Sequence, residues 1–373
     1  MNVLDVRECY IKILTPLHVG CGEFYEPFSF TVDTSRKEIL ILDFGPLLRA
    51  MDSKLRSDFS NICRKGTIES LLEMYKFLRR LGERKDIINK EGVVSRKIQV
   101  SQEFVKHYEE VVEGGKTNRR PDNYNRHIDP RINAQRVITN FAIGRTAFET
   151  REKELPIIPG SSIKGAIRTA VLNLWRHNAA NKRYSVDQNK DLERDILKGS
   201  FHTDPFSLVK VSDFLPVEEP RVKIVYAVNV KKGSGKGGRG PYQILEVVLQ
   251  GKFKGKITIM EPQNGRDVKQ PLGFEDLKGS LREFYKKEFD RELNELKSCG
   301  IEVSIPKISG FLIRIGRHSG AECVTIEGFR KIKIMGKSPS YLDHATTLWL
   351  ASDDRRRPLG ARPFGWCELT FGS

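Results

Sequence analysis

The chain holds only six cysteines (Cys9, Cys21, Cys63, Cys299, Cys323 and Cys367), and no two of them form a C-x-x-C pair. No Cys/His cluster has zinc-ligand spacing, which argues against a structural zinc site and against a disulfide scaffold. Reduced thiols in a cytoplasmic protein are the expectation. No apolar run approaches the roughly 18 residues a membrane-spanning helix needs. The first residues, Met1 to Glu8, are charged from the start, unlike a secretory leader. Nucleotide hydrolysis is also excluded. In the glycine run Lys231–Gly240, Lys236 is followed by Gly237, where a phosphate-binding loop carries Ser or Thr. There is no Rossmann fingerprint, no serine-triad signature and no aromatic RRM consensus. Asp204 and Asp213 flank Pro205 to Ser212 without a companion acid cluster, so caps and turns account for them. No cofactor and no metal are expected.

What the chain has in excess is positive charge. Its 373 residues carry 64 Lys and Arg against 48 Asp and Glu, a net charge of +16, and 39% are hydrophobic. An ion-paired surface would explain many charges but not such an excess of one sign. A polyanion partner would, because each neutralised phosphate releases counterions. The length suits two domains.

The patterning alternates irregularly between the two periods. Strands are predicted at 9–14, 208–214, 222–230, 243–250, 256–260, 311–315, 331–335, 346–350 and 366–371, with a hairpin at 28–33 and 38–43. Helices are predicted from 47 to about 55, over 68–78, 161–176 and 187–198, and from Phe274 to Leu296. Residues 84–136 are polar, basic and sparse in hydrophobics, so they read as a helical insertion outside the core. Strict βα alternation is missing, which makes α+β the better class. Two ferredoxin-like units fit the mix, with a boundary expected near Pro216–Pro220: an N-terminal domain over 1–217, containing the insertion, and a C-terminal domain over 218–373.

Four stretches bear on function. In Leu155–Arg168, Gly160 precedes Ser161 and Ser162, which are expected to cap a helix carrying Lys164 and Arg168 at i and i+4 on an exposed edge. Glycine permits close backbone approach, and helix-start amides attract anions. The loop Leu17–Gly22 holds His18, Gly20 and Gly22. The segment Arg314–Gly320 supplies Arg314, Arg317 and His318. Near the C-terminus, Gly360 and Gly365 bracket Arg362, where a phosphate could approach. His18 and His318 are candidate general bases toward an RNA 2′-hydroxyl. Lys236 and Arg239, in the basic glycine run at an expected hairpin tip, and Arg145 complete the candidate RNA-binding set.

Taken together, Leu14–Gly22, Ile158–Gly165 with Arg168, and Leu359–Trp366 resemble the RAMP proteins of type III CRISPR effector complexes. Within that family, the length, the insertion and Arg314–Gly320 are most similar to the fifth subunit of the Csm complex. The resemblance implies ferredoxin-like domains and a role in antiviral defence. It implies guide-RNA binding through glycine loops and the Ser/Lys helix start, at the filament's guide 3′ end. Packing against adjacent RAMP backbone subunits, contact with trimming nucleases and the absence of chemistry of its own are implied as well. The alternatives are a RAMP endoribonuclease, either a target-RNA-cleaving backbone subunit or a guide-processing enzyme using His18 or His318, and a protein-interaction subunit whose basic surface binds acidic partners.

Overall fold

Strand alternation builds the first layer. In Val3–Ile13, Cys9, Ile11 and Ile13 are buried, while Tyr10 and Lys12 turn to the opposite side. The computed structural model describes residues 2–112, 141–149, 154–185, 187–234, 242–262, 267–334 and 340–372. In chain order these form β1 (Val3–Ile13), β2 (Gly20–Tyr25), β3 (Phe30–Asp33), β4 (Glu38–Leu42), α1 (Phe44–Ala50), α2 (Ser53–Lys65), α3 (Ile68–Glu83) and α4 (Lys85–Ile88). Next come β5 (Val94–Gln99), α5 (Gln102–Val112), β6 (Ile143–Thr146), α6 (Gly160–Leu174), α7 (Asn189–Leu197), β7 (Val209–Val211) and β8 (Leu215–Pro216). The chain continues with β9 (Arg221–Lys231), β10 (Gln243–Gln250), β11 (Lys252–Met260), α8 (Phe274–Ser298) and β12 (Phe311–Arg314). It ends with β13 (Ile332–Ile334), β14 (Ser340–Leu342), β15 (Thr347–Ser352), β16 (Arg362–Pro363) and β17 (Trp366–Phe371).

One sheet has the order β12-β17-β1-β11-β7, with β8 also on β11, and all its pairings are antiparallel. Helices α6 and α8 cover one of its faces. Ile163 and Ile167 of α6 and Leu277 and Leu281 of α8 share a core with Cys9, Ile11, Phe253 and Ile257. The Tyr285 hydroxyl ties the two helices by donating to the Ala166 carbonyl at 3.0 Å. Helix α8 starts cleanly because the Asp276 carboxylate accepts the Gly273 amide at 2.8 Å, with Glu275 and Asp276 favouring the positive end of the helix dipole.

The second sheet runs β2-β6-β10-β9-β5-β4-β3, with β15 on β9 and β16 on β15. Helix α5 and Tyr75 of α3 close its main core around Phe30, Ile98 and Tyr226. A separate helical cluster, α1 to α4, packs Leu47, Phe77 and Leu78 against Leu40 and Leu42 of β4. The strands that flank the glycine run pair antiparallel, so that run joins a hairpin as expected. Lys236 and Arg239 themselves lie outside the described residues.

The mixed α+β class is present, but two expectations about organisation need correction. The boundary at 217/218 does not divide the sheets. The first sheet takes its central strand β1 from the N-terminus and β12 and β17 from the C-terminus, and the second interleaves β2–β6 with β9, β10 and β15. Pairings such as Tyr10 with Thr370 join residues at opposite ends of the chain, and local composition carries no trace of them. Nor does all of 84–136 stand outside the core. Strand β5 pairs with β4 along Ile39–Ile98 and its neighbours. In α5, Phe104, Val105, Tyr108, Val111 and Val112 are buried. That is a helical apolar stripe, hidden in the sequence by the lysines and arginines around it. Residues 113–136 of the expected insertion lie outside the described residues.

Candidate RNA-binding surface

Three of the glycine-bearing stretches are tied into one knot by their backbones. The Leu14 and Thr15 amides donate to the Trp366 carbonyl at 3.0 and 3.1 Å, and the Gly365 amide donates to the Pro16 carbonyl at 2.9 Å. The Ile315 amide donates to the Gly365 carbonyl, and the Arg317 amide to the His18 carbonyl at 2.8 Å. Two glycines make this possible. Gly316 has φ +87° and a Cβ there would sit 2.4 Å from the His18 carbonyl oxygen; Gly365 has φ +80° and a Cβ would sit 2.1 Å from the Ile315 oxygen. The fourth stretch joins at Val19, whose carbonyl accepts the Ala147 amide, while the Ala147 carbonyl accepts Ile157.

At this knot Arg317 and Arg362 are exposed. Neither has an acidic partner among the described residues. Gly20 and Gly22 lie exposed on β2, at the edge of the second sheet. Gly22 has φ +86° and Gly360 φ +58°, and nothing lies within 4 Å of a Cβ at Gly22.

The other candidates are held within the protein. Arg314 is buried: its guanidinium meets Glu292 at 2.9 Å, donates to the Phe364 carbonyl at 3.0 Å and lies over the Trp366 ring. Arg145 pairs with Glu154 at 2.8 Å and stacks on Phe148 and Tyr25. Arg168 is not free on a helix edge, because it bridges Glu193 and Asp204, both at 2.8 Å. Ser161 and Ser162 do not cap α6; they lie inside its first turn, which begins at Gly160. The cap comes from Asp213, whose carboxylate accepts the Gly160 amide at 2.8 Å. Gly160 serves packing, since a Cβ there would meet the Val211 carbonyl oxygen at 2.3 Å. Lys164 has no ion-pair partner among the described residues; burial, then the charges of Lys210 and Arg168, lower its pKa.

Of the two candidate histidines, His18 is buried and His318 half-buried. His18 is 1% exposed, with Nδ1 2.8 Å from the Glu246 carbonyl oxygen. His318, at φ +62°, stacks on Trp349 with Nε2 3.1 Å from Gln243 Oε1. Burial, and then the Arg317 charge, push His318 down to about 4. Burial likewise lowers His18, and burial with the charges of Arg355 and Arg356 takes His107 to about 3. All three stay neutral at neutral pH. An unfolded chain takes up these protons near pH 6.5, so the stability they contribute is complete above that value and is lost as pH falls toward 4. Between about pH 7.5 and pH 5, the unfolding free energy should fall by roughly 2–4 kcal/mol. Urea unfolding at the two pH values tests this. The His107→Gln, His318→Gln double variant should show a flatter profile, and an unchanged midpoint in the parent would refute the burial argument.

Sequence reasoning passed over a row of lysines on β11. The pattern Lys252-Phe-Lys254-Gly-Lys256 alternates with the strand period, so Lys252, Lys254 and Lys256 share the exposed side. That alternation was the available signal.

Comparison with known proteins agrees with this architecture. A model of the RAMP superfamily matches residues 10–298. The Streptococcus thermophilus "CRISPR system Cms protein Csm5" is 28% identical over 177 residues, which are 46% of this chain and 47% of that protein. The chain thus spans about half the length of this relative. Among solved structures, a chain of the cryo-EM Csm–crRNA–target RNA ternary complex of a type III-A CRISPR-Cas system aligns over 98% of this chain and 100% of its own, with TM-score 0.51 and 18% identity. The crystal structure of T. onnurineus Csm5 aligns over 96% and 99%, with TM-score 0.54 and 16% identity. At these identities the likeness is one of fold. The matched segment runs from β1 through the first loop of the knot and α6 to the end of α8, and the chain belongs to the RAMP superfamily.

Proposed function

We propose that this chain is a non-catalytic, RNA-binding subunit of a type III-A CRISPR (Csm) complex, seated at the guide-RNA 3′ end of the filament beside a backbone subunit. The observation that carries the reading is the knot, which brings three separate glycine stretches to one place and exposes there Arg317 and Arg362, which have no acidic partner among the described residues. The likeness to Csm5 over 177 residues and the fold likeness to a Csm-complex chain along almost the whole length support the assignment. The strand order β17-β1-β11-β7, with α6 and α8 on one face, supports one ferredoxin-like unit assembled from both ends of the chain. The second sheet with α5 serves as the other. Buried His18 and half-buried His318, both with lowered pKa, favour binding over acid–base chemistry.

The test is reconstitution with the other Csm subunits and a guide RNA. The Arg317→Ala, Arg362→Ala double variant should fold, since both side chains are exposed, yet retain less guide. Its log–log salt slope should be shallower by about 2, or roughly 1 for each phosphate no longer neutralised. Unchanged guide occupancy, guide length and slope would overturn the reading.

A further inference from the structure

The first sheet has a second face, and no described helix covers it. Because paired residues of an antiparallel ladder share a side, the register lays this face out in cross-strand rows. Lys12 stands opposite Lys252, Tyr10 opposite Lys254 and Glu8 opposite Lys256. Leu215 of β8 continues the Tyr10 row, and Lys210 of β7 stands opposite Thr258 in the row beyond Glu8 and Lys256. Lys12, Lys210, Lys252, Lys254 and Lys256 are all exposed.

Among the described residues, the paired rows bring two acids to this side. Glu8 pairs with Lys254 at 2.8 Å and accepts the Tyr10 hydroxyl. Glu368, opposite Lys12, is taken up by the Ser309 and Gly310 amides, both at 2.6 Å. The lysines therefore outnumber the acids in these rows, and two of them lie beside one aromatic ring. Lys252 Nζ lies 4.3 Å and Lys254 Nζ 5.8 Å from the centroid of Tyr10. Exposed apolar side chains are confined to the margins, with Leu4 and Val6 at one end and Leu215 and Val217 at one side.

We infer that this face is a binding track for single-stranded RNA, continuous with the knot and separate from it. The inference rests on the reading that the protein binds RNA, and adds a second surface to it. Lysines two residues apart on β11 recur every 6.6–6.8 Å or so, a spacing that an extended polynucleotide backbone can follow. Tyr10 supplies the aromatic platform on which a base stacks once it displaces Lys252, as in sequence-tolerant single-strand binders. The face is contiguous with the knot because the Ile13 amide donates to the Gly251 carbonyl and the Leu14 amide to Trp366, which puts the Lys12–Lys252 row beside the loops. An acidic protein is the lesser fit, since its anchoring contacts would need an apolar centre, and here the centre is cationic and aromatic.

The experiment uses the full chain with a labelled uridine 20-mer, and with polyglutamate as the protein-like polyanion. The Lys252→Gln, Lys254→Gln, Lys256→Gln variant should bind the oligonucleotide at least tenfold more weakly near 0.15 M salt. Its salt slope should be shallower by about 2, at roughly 0.7 for each single-strand phosphate no longer neutralised. Tyr10→Ser should weaken binding by about tenfold, and Tyr10→Phe should restore it. Thermal unfolding midpoints near the parent value establish that the variants are folded. Unchanged RNA affinity and slope in the triple lysine variant would overturn the proposal. So would loss of polyglutamate binding with RNA binding intact, which would assign the face to an acidic protein. The arginine variant of the knot separates the two readings: if it alone loses guide from the complex, the knot reading stands and the sheet-face track falls.

Discussion

Arg314→Met should lower the unfolding free energy by about 3–5 kcal/mol, the cost of stranding one member of a buried ion pair. Arg314 and Glu292 are 1% and 4% exposed at their side chains and 2.9 Å apart. Glu292 also accepts the Trp366 indole N–H at 2.6 Å. Removing the guanidinium leaves a buried carboxylate with one neutral donor, and it also frees the Phe364 carbonyl. Urea unfolding at neutral pH reads the loss. Arg314→Met with Glu292→Leu should recover a large part of the loss, because replacing a whole buried pair by apolar groups is often neutral. A loss below about 1 kcal/mol, paired with weakened RNA binding, would instead make Arg314 a surface contact.

That side chain also marks how far sequence reasoning reached. Alternation and helical periodicity located most of the elements, because strands such as β9, β10 and β17 and the long helix α8 meet one continuous core and carry its imprint. Strand β2 was missed because Gly20–Tyr25 is an exposed edge with almost nothing to bury. Strand β5 and the burial of helix α5 were missed because a basic neighbourhood masked the stripe at Phe104, Tyr108 and Val111. The candidate site was legible as a set of stretches, and three of them do meet. Which cations are free was not legible, because that depends on acids distant in sequence: Glu193 and Asp204 hold Arg168, and Glu292 holds Arg314. The glycine stretches were singled out for close approach of a phosphate, but what approaches Gly160, Gly316 and Gly365 is the protein's own backbone.

Gly365→Ala tests that last point. A residue forced into the left-handed region costs about 1–2 kcal/mol when it is not glycine. At Gly365 a methyl group would also lie 2.1 Å from the Ile315 carbonyl oxygen, and that oxygen belongs to a segment whose own amide donates to Gly365. Neither strand of the contact can give without breaking the bond that joins them, so the expected loss is about 3 kcal/mol or more. Gly360→Ala is the matched control. Its φ is +58°, yet the one atom near its added Cβ is the Asp353 carboxylate oxygen at 3.8 Å, so only the conformational cost of about 1–2 kcal/mol should appear. The difference between the two variants in urea unfolding isolates the backbone contact from the backbone conformation. Because the Ile315 segment leads directly into Arg317, Gly365→Ala should also lower guide occupancy in the reconstituted complex, while Gly360→Ala should affect it far less. Equal losses of stability in the two variants would mean that the knot yields to an added methyl, and that it does not fix where Arg317 points.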